Sequence, residues 1–263
     1  MLSPKIIYKQ YGGKSSIASW VVSYFPKHRI YLEPFVGSCS VLFRKSKSFI
    51  EIINDLDGRL INMYDQIRKH PKELAALLWA TPYSSANWRN VDNVNKLEDA
   101  RLFIAKGCQF YCGGPGSTWA MDKSPANHKP KSETWADWFL RILPAAKRLK
   151  TVQILQEDAL KAIARVYMES DALIYADPPY FGHEDQYSYK IDYEKMVTMF
   201  SDAKCKVVVS EYETAREYYK NWYSVSKTTA GRAGTGHKIK AREKTEVLFM
   251  NFEPEPLRDL LDD

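Results

Sequence analysis

Ala172-Leu173-Ile174-Tyr175-Ala176-Asp177-Pro178-Pro179-Tyr180 decides how the chain is read. Its first five residues form an apolar run short enough for a fully buried strand. The acidic tetrapeptide follows where that strand ends, and in an open α/β sheet ligands bind outside the carboxyl ends of the strands. Two consecutive prolines fix φ, remove two backbone donors and bar a helix. They hold one carboxylate, proline carbonyls and one aromatic ring in a stiff row. Such a row suits a flat substrate bearing an amino group: Asp177 and a proline carbonyl accept its two N–H bonds, and Tyr180 stacks on its face. Alone, the tetrapeptide is equally an ordinary Pro-Pro turn, so its company decides.

Upstream, Arg29-Ile30-Tyr31-Leu32-Glu33-Pro34-Phe35 reads as a strand, and Val36-Gly37-Ser38-Cys39-Ser40 as the turn that opens a helix. Strand, small-residue turn and helix form the nucleotide-binding opening of a doubly wound fold. The turn is not GxGxxG, so no phosphate cradle is implied, and Glu33 suits an ammonium or a ribose instead. Phe49-Ile50-Glu51-Ile52-Ile53 is a second strand ending at Asn54-Asp55. Asp55 lies eighteen residues after Gly37, close to the offset of about 20 at which a carboxylate holds ribose hydroxyls. Asp57 is the better cap for the next helix, whose stripe is Leu56, Leu60, Met63, Tyr64 and Ile67; that frees Asp55 for a ligand. Nearer the start, Tyr8-Lys9-Gln10-Tyr11-Gly12-Gly13-Lys14-Ser15 places paired glycines and a lysine before a helix, an anion or carboxylate site in outline.

Downstream, Val152-Gln153-Ile154-Leu155 is a third strand, followed by Glu157-Asp158. Asp158 either accepts from an adenine amino group of a nucleoside cofactor or caps the helix from Ala159. Loop 181–191 is polar, aromatic and glycine-hinged, as a substrate-closing loop would be. Cys205-Lys206-Val207-Val208-Val209-Ser210 and Val247-Leu248-Phe249-Met250-Asn251-Phe252 are further strands. Between them, Lys227 to Lys244 is the most basic stretch of the chain. With Arg232, Lys238, Lys240 and Arg242 around several glycines, it reads as a phosphate-contacting loop.

From His70 to about Lys147 the pattern is helical, with polar turn-rich connections and no strand alternation. Domain boundaries follow: residues 1–69 and 147–263 form one α/β domain, and 70–146 a helical insertion whose loops hold recognition residues. Lys123, His128, Lys129 and Lys131 in it are candidate phosphate contacts. Cys108, Cys112 and His128 do not match zinc-ligand spacing, and no metal is expected.

The bounds agree. The chain has 263 residues, 45% of them hydrophobic, enough for one domain with an insertion. A net charge of +6 and 13% aromatic residues favour a polyanionic partner such as nucleic acid. Four cysteines without a CxxC pair, no signal-peptide hydrophobic region and no membrane-length apolar run imply a reduced cytosolic protein. The sequence leaves the oligomeric state open, with a monomer favoured.

In motif order the chain resembles the Dam-type DNA adenine-N6 methyltransferases: Gly12-Gly13-Lys14, Glu33-Pro34-Phe35-Val36-Gly37, Asn54-Asp55, then Asp177-Pro178-Pro179-Tyr180 and Thr245 to Phe252. The resemblance implies a Rossmann-like sheet, mostly parallel with an antiparallel last strand. It implies S-adenosylmethionine as cofactor and double-stranded DNA as partner. The cofactor would be bordered by Gln10, Tyr11, Gly13, Lys14, Glu33, Phe35, Gly37, Asp55, Asp158 and Asp177. Asp177, Pro178, Pro179 and Tyr180 would meet a flipped-out adenine, and Lys123, Lys129, Arg232, Lys238, Lys240 and Arg242 would contact DNA. The chain departs from the family pattern at Gln10, where an aromatic residue is common, and at Cys39, which replaces the second glycine and implies adjusted cofactor packing. The insertion lacks the family's Asn-Val-Pro element, which leaves the target sequence open. Two competing readings use the same residues: a catalytically silent DNA-binding decoy, and a methyltransferase acting on RNA adenine or cytosine N4.

Overall fold

Near-continuous apolar runs become the central strands of a parallel sheet because both of their faces are covered. The computed structural model describes residues 4–9, 12–88, 95–110, 118–122, 129–182, 191–229 and 244–255. Its strands are β1 (Ile30–Glu33), β2 (Ile50–Asn54), β3 (Gln153–Leu155), β4 (Ala172–Ala176), β5 (Lys206–Glu211), β6 (Tyr223–Thr229) and β7 (Lys244–Met250). The α-helices are α1 (Ala18–Ser23), α2 (Ser40–Arg44), α3 (Gly58–Lys69), α4 (Pro71–Trp79), α5 (Lys96–Gln109), α6 (Lys131–Ala136), α7 (Ile142–Leu149), α8 (Ala159–Ala164) and α9 (Tyr193–Ser201).

The chain divides into two compact units, one of Met1–Val22, Val36–Ser46 and Asp57–Gln156, the other of Ser23–Phe35, Lys47–Leu56 and Glu157–Asp263. Among the described residues, the second unit holds six strands in the order β2-β1-β4-β5-β7-β6. β1 runs parallel to β2 and β4, and β4 parallel to β5, while β7 is antiparallel to β5, as the last strand was expected to be. Every residue of β4 is buried, as is every residue of β5 after Lys206.

One strand has no counterpart in the sequence reading. Tyr223–Thr229 pairs antiparallel with β7 at the sheet edge, so Lys227 is strand rather than loop. None of its residues is fully buried, and a strand of serines, threonines and a lysine lacks the apolar alternation that marks strands in sequence. The basic residues Arg232, Lys238, Lys240 and Arg242 lie outside the described residues.

The first unit is helical. In it α3 packs on α5 and α7, and α4 on α5 and α7. Asp57 caps α3 as its position suggests, accepting from the Arg59 and Leu60 amides at 2.9 and 3.3 Å. Asp57→Ala is expected to lower stability by about 1 kcal/mol, read as a shifted urea midpoint at constant slope. α5 starts at Lys96 because Asn95 caps it, accepting from the Glu98 amide at 2.9 Å. The polar stretch after α4 is stitched to α5 through the buried Gln109, which accepts from Ser84 N–H at 3.0 Å and donates to the Pro82 carbonyl at 3.1 Å. Among the described residues, no helix is long and apolar enough to cross a membrane.

Candidate active site

In the second unit, three loops proposed from sequence as ligand-bearing meet at one side chain. Asn54, the last residue of β2, is fully buried. Its Nδ2 donates to the Pro34 carbonyl and to the Glu157 carbonyl, both at 3.0 Å, and its Oδ1 accepts from the Glu157 amide at 3.0 Å. Asn54 thereby joins Glu33-Pro34-Phe35, Asp55 and Glu157-Asp158. The register explains the first bond: Ile53 faces Glu33 across β2 and β1, which leaves Asn54 alongside Pro34. Glu33 is buried and accepts from the Tyr31 hydroxyl at 3.0 Å. Asp55 and Phe35 are half-buried. Asp158 caps α8, accepting from the Leu160 amide at 2.9 Å, one of the two roles open to it in the sequence.

Asp177 sits at the end of β4, half-buried. Ala176 faces Val209 on β5, so Asp177 lies one step beyond the paired residues, beside Ser210-Glu211. Its charge is felt by three neighbours. Burial first, then Asp177 and Glu33, hold the Tyr175 phenol well above its ordinary value. Burial, then Asp177 and Glu246, do the same to Tyr180. Burial pushes the Glu211 carboxyl from 4.5 up to about 7, with Asp177 adding to the rise against the bonds that favour the charged form. The strand ends thus form a strongly acidic, partly desolvated rim.

Tyr180 is tied down. Its hydroxyl donates to Glu246 on β7, which also accepts from Ser210 at 3.2 Å, and its ring meets Tyr212 edge-on at 4.4 Å. With 4% of its surface exposed, Tyr180 is a packed wall in this structure. After it, Gly182 takes a φ of 76°, the left-handed region that glycine tolerates.

Gly12, Gly13, Lys14, Gly37, Cys39 and Lys129 fall in the first unit. Gly12 takes a φ of 75°, Gly13 has φ −57°, and Lys14 is buried with Nζ donating to the Gly12 carbonyl at 3.1 Å. Gly37 accepts from the Tyr64 hydroxyl at 2.6 Å. Cys39 has φ 57° and is fully buried, where it precedes α2. The left-handed region costs a residue with a Cβ about 1–2 kcal/mol, so this chain keeps a glycine's backbone conformation at a cysteine. Lys129 is exposed and paired with Asp137 at 3.0 Å. Gln10, Tyr11, Cys112, Lys123, His128 and loop residues 183–190 lie outside the described residues. Among the described residues, no group of three or more His, Cys, Asp or Glu could hold a metal ion.

Against that geometry, the family model for D12 class N6 adenine-specific DNA methyltransferases matches residues 11–94 and 127–247. The chain belongs to this family. A Type II methyltransferase, M1.LlaDCHI of Lactococcus lactis subsp. cremoris, is 22% identical over 274 residues, spanning 92% of this chain and 93% of that protein. Among solved structures, a precorrin 8W decarboxylase from Methanobacterium thermoautotrophicum covers 95% of this chain and 98% of its own, with 10% identity and a TM-score of 0.44.

Beside Asp177 and Glu33 lie three buried polar groups whose contacts the sequence does not give: Asn54 and Glu246, which it offers only within the family motifs, and Glu211, which it does not single out. Glu211 and Glu246 adjoin the apolar runs of β5 and β7, and a carboxylate bordering such a run is the one signal that marks them.

Proposed function

We propose that the chain transfers a methyl group from S-adenosylmethionine to N6 of adenine in double-stranded DNA, at a specific short sequence and on a base rotated out of the helix. The observation that carries the reading is Asp177, presented at the open end of β4 beside other strand-end acceptors in a chain of this family. The donor set fits the cofactor: Glu33, Asp55 and Asp177 offer carboxylate oxygens, as a ribose diol and an ammonium require. When bound, the cofactor supplies a methyl group on a positively charged sulfur.

The chain's own residues then position and polarise. An adenine amino nitrogen is a poor nucleophile because its lone pair is delocalised into the ring. Accepting its two N–H bonds at Asp177 and the Pro178 carbonyl favours a tetrahedral nitrogen with the lone pair free for in-line attack. The prolines keep both acceptors in a fixed row, and Tyr180, braced by Glu246 and Ser210, is the wall of the base pocket. A base in a duplex cannot reach such a site, which requires flipping. The helical stretch 70–146 is assigned to target recognition. Lys129 and the basic residues between β6 and β7 are assigned to phosphates, making affinity strongly salt-dependent.

The test is transfer of labelled methyl from S-adenosylmethionine to unmethylated plasmid DNA, with the digested nucleosides identified by mass spectrometry. N6-methyladenine is the expected product. Label in N4-methylcytosine, or in RNA alone, would overturn the reading.

A further inference from the structure

Glu211 ends β5 with its side chain fully buried, and three donors converge on it. Phe181 N–H and the Tyr193 hydroxyl reach Oε1 at 3.0 and 3.1 Å, and Tyr212 N–H reaches Oε2 at 3.0 Å. The Tyr219 hydroxyl lies 3.2 Å from that of Tyr193 and extends the chain of bonds. Phe181, Tyr193 and Tyr218 also pack ring against ring, at 5.5, 4.9 and 4.9 Å. Phe181 follows Tyr180 directly. Two buried carboxylates therefore hold two successive residues of one turn: Glu246 the Tyr180 side chain, Glu211 the Phe181 backbone.

We propose that Glu211 is a positioning residue for methyl transfer, whose carboxylate pins the Phe181 amide and through it fixes the Asp177-Pro178-Pro179-Tyr180 turn for the target amino group. The proposal rests on the functional reading above. Glu211 touches neither substrate nor cofactor in it; it acts through the turn.

The bonding pattern favours the charged form. A carboxylate accepts strongly from all three donors, whereas a neutral acid accepts the two backbone N–H bonds more weakly and turns its O–H toward the Tyr193 hydroxyl, reversing that bond. The titratable groups around Glu211 are Asp177 after β4, Tyr193 on α9 and, through the Tyr193 hydroxyl, Tyr219 after β5; its register partner on β7 is Val247. With its pKa pushed up to about 7, the anchor forms across neutral pH, and kcat should rise through that range. Stability moves the other way. The folded-state value lies above the ordinary 4.5, so this group's contribution is fully present below about 4.5 and is lost as pH rises through about 7.

The experiment measures kcat and KM between pH 5.5 and 9 for the full chain, Glu211→Gln and Tyr193→Phe, with backbone amide exchange of residues 180–182. Glu211→Gln keeps size and one acceptor but turns an amide toward a donor. Its kcat is expected to fall about 10- to 100-fold, with KM for DNA and cofactor unchanged, the acid limb flattened and exchange at Phe181 accelerated. Tyr193→Phe keeps the carboxylate and removes one stabilising donor, so the limb should move up by about half a pH unit or more with kcat retained at pH 8.5. A wild-type kcat and pH profile in Glu211→Gln overturns the proposal. If that variant does not fold, an unmoved limb in Tyr193→Phe overturns it instead. No methyl transfer to DNA by the wild-type chain overturns the functional reading itself, whereas transfer with indifferent variants overturns only the role of Glu211.

Discussion

Asp177→Ala is expected to fold at least as stably as the wild-type chain and to transfer methyl groups at no more than about a thousandth of its rate. The two halves of this expectation share one cause. Asp177 stands in an acidic, partly buried rim, where its charge raises the protonation of Tyr175, Tyr180 and Glu211. Removing it relieves like-charge repulsion on Glu211, so that group should ionise at lower pH and its penalty on stability near pH 8 should shrink. In the proposed function, the same removal takes away the acceptor that draws an N–H bond of the target amino group. Urea unfolding at pH 8 and single-turnover transfer measure the two effects separately. Activity within tenfold of wild type would remove Asp177 from the reaction, and a clear loss of stability would mean that the turn depends on its carboxylate for folding. Asp177→Asn keeps one acceptor oxygen without the charge and should lie between the two in rate.

That rim was only half legible in the sequence. Asp177 announces itself because an apolar strand, an acid and two prolines are contiguous, and Glu33 because it ends a strand before a small-residue turn. Asp57 as a cap was equally readable, since capping is settled within four residues. Glu211 was not, because its donors come from positions 181, 193 and 212, and only the folded sheet brings the first two to β5. Strand β6 escaped for a different reason: an edge strand with no buried face carries no apolar period. Asp158, like Asp57, was readable as a cap, and its side chain accepts from the Leu160 amide at the start of α8. Local chemistry is written in neighbouring residues; convergence of polar groups is written in the topology.

Asn54 follows that second rule most strongly, and Asn54→Ala should be strongly destabilising. The side chain is fully buried and makes three hydrogen bonds of 3.0 Å, two of them spanning 103 positions of sequence. Alanine leaves the Pro34 carbonyl and both backbone groups of Glu157 without these partners. An unmet buried polar group costs about 1–3 kcal/mol, so a total loss of about 3 kcal/mol is expected, a fall in Tm of about 6–12 °C for a chain of this size. Asn54→Asp should be no better, because it keeps the acceptor for the Glu157 amide but sets an anionic oxygen against two carbonyls. The functional signature differs from that of Asp177. Asn54 orders the segments bearing Glu33, Asp55 and Asp158, so its loss should weaken S-adenosylmethionine binding and raise KM for the cofactor, while kcat at saturating cofactor falls less. Calorimetric titration with the cofactor, alongside thermal unfolding, reads both consequences. A variant with unchanged Tm would show that water replaces the amide without cost. A destabilised variant with unchanged cofactor affinity would show that the three segments are joined for folding and not for binding.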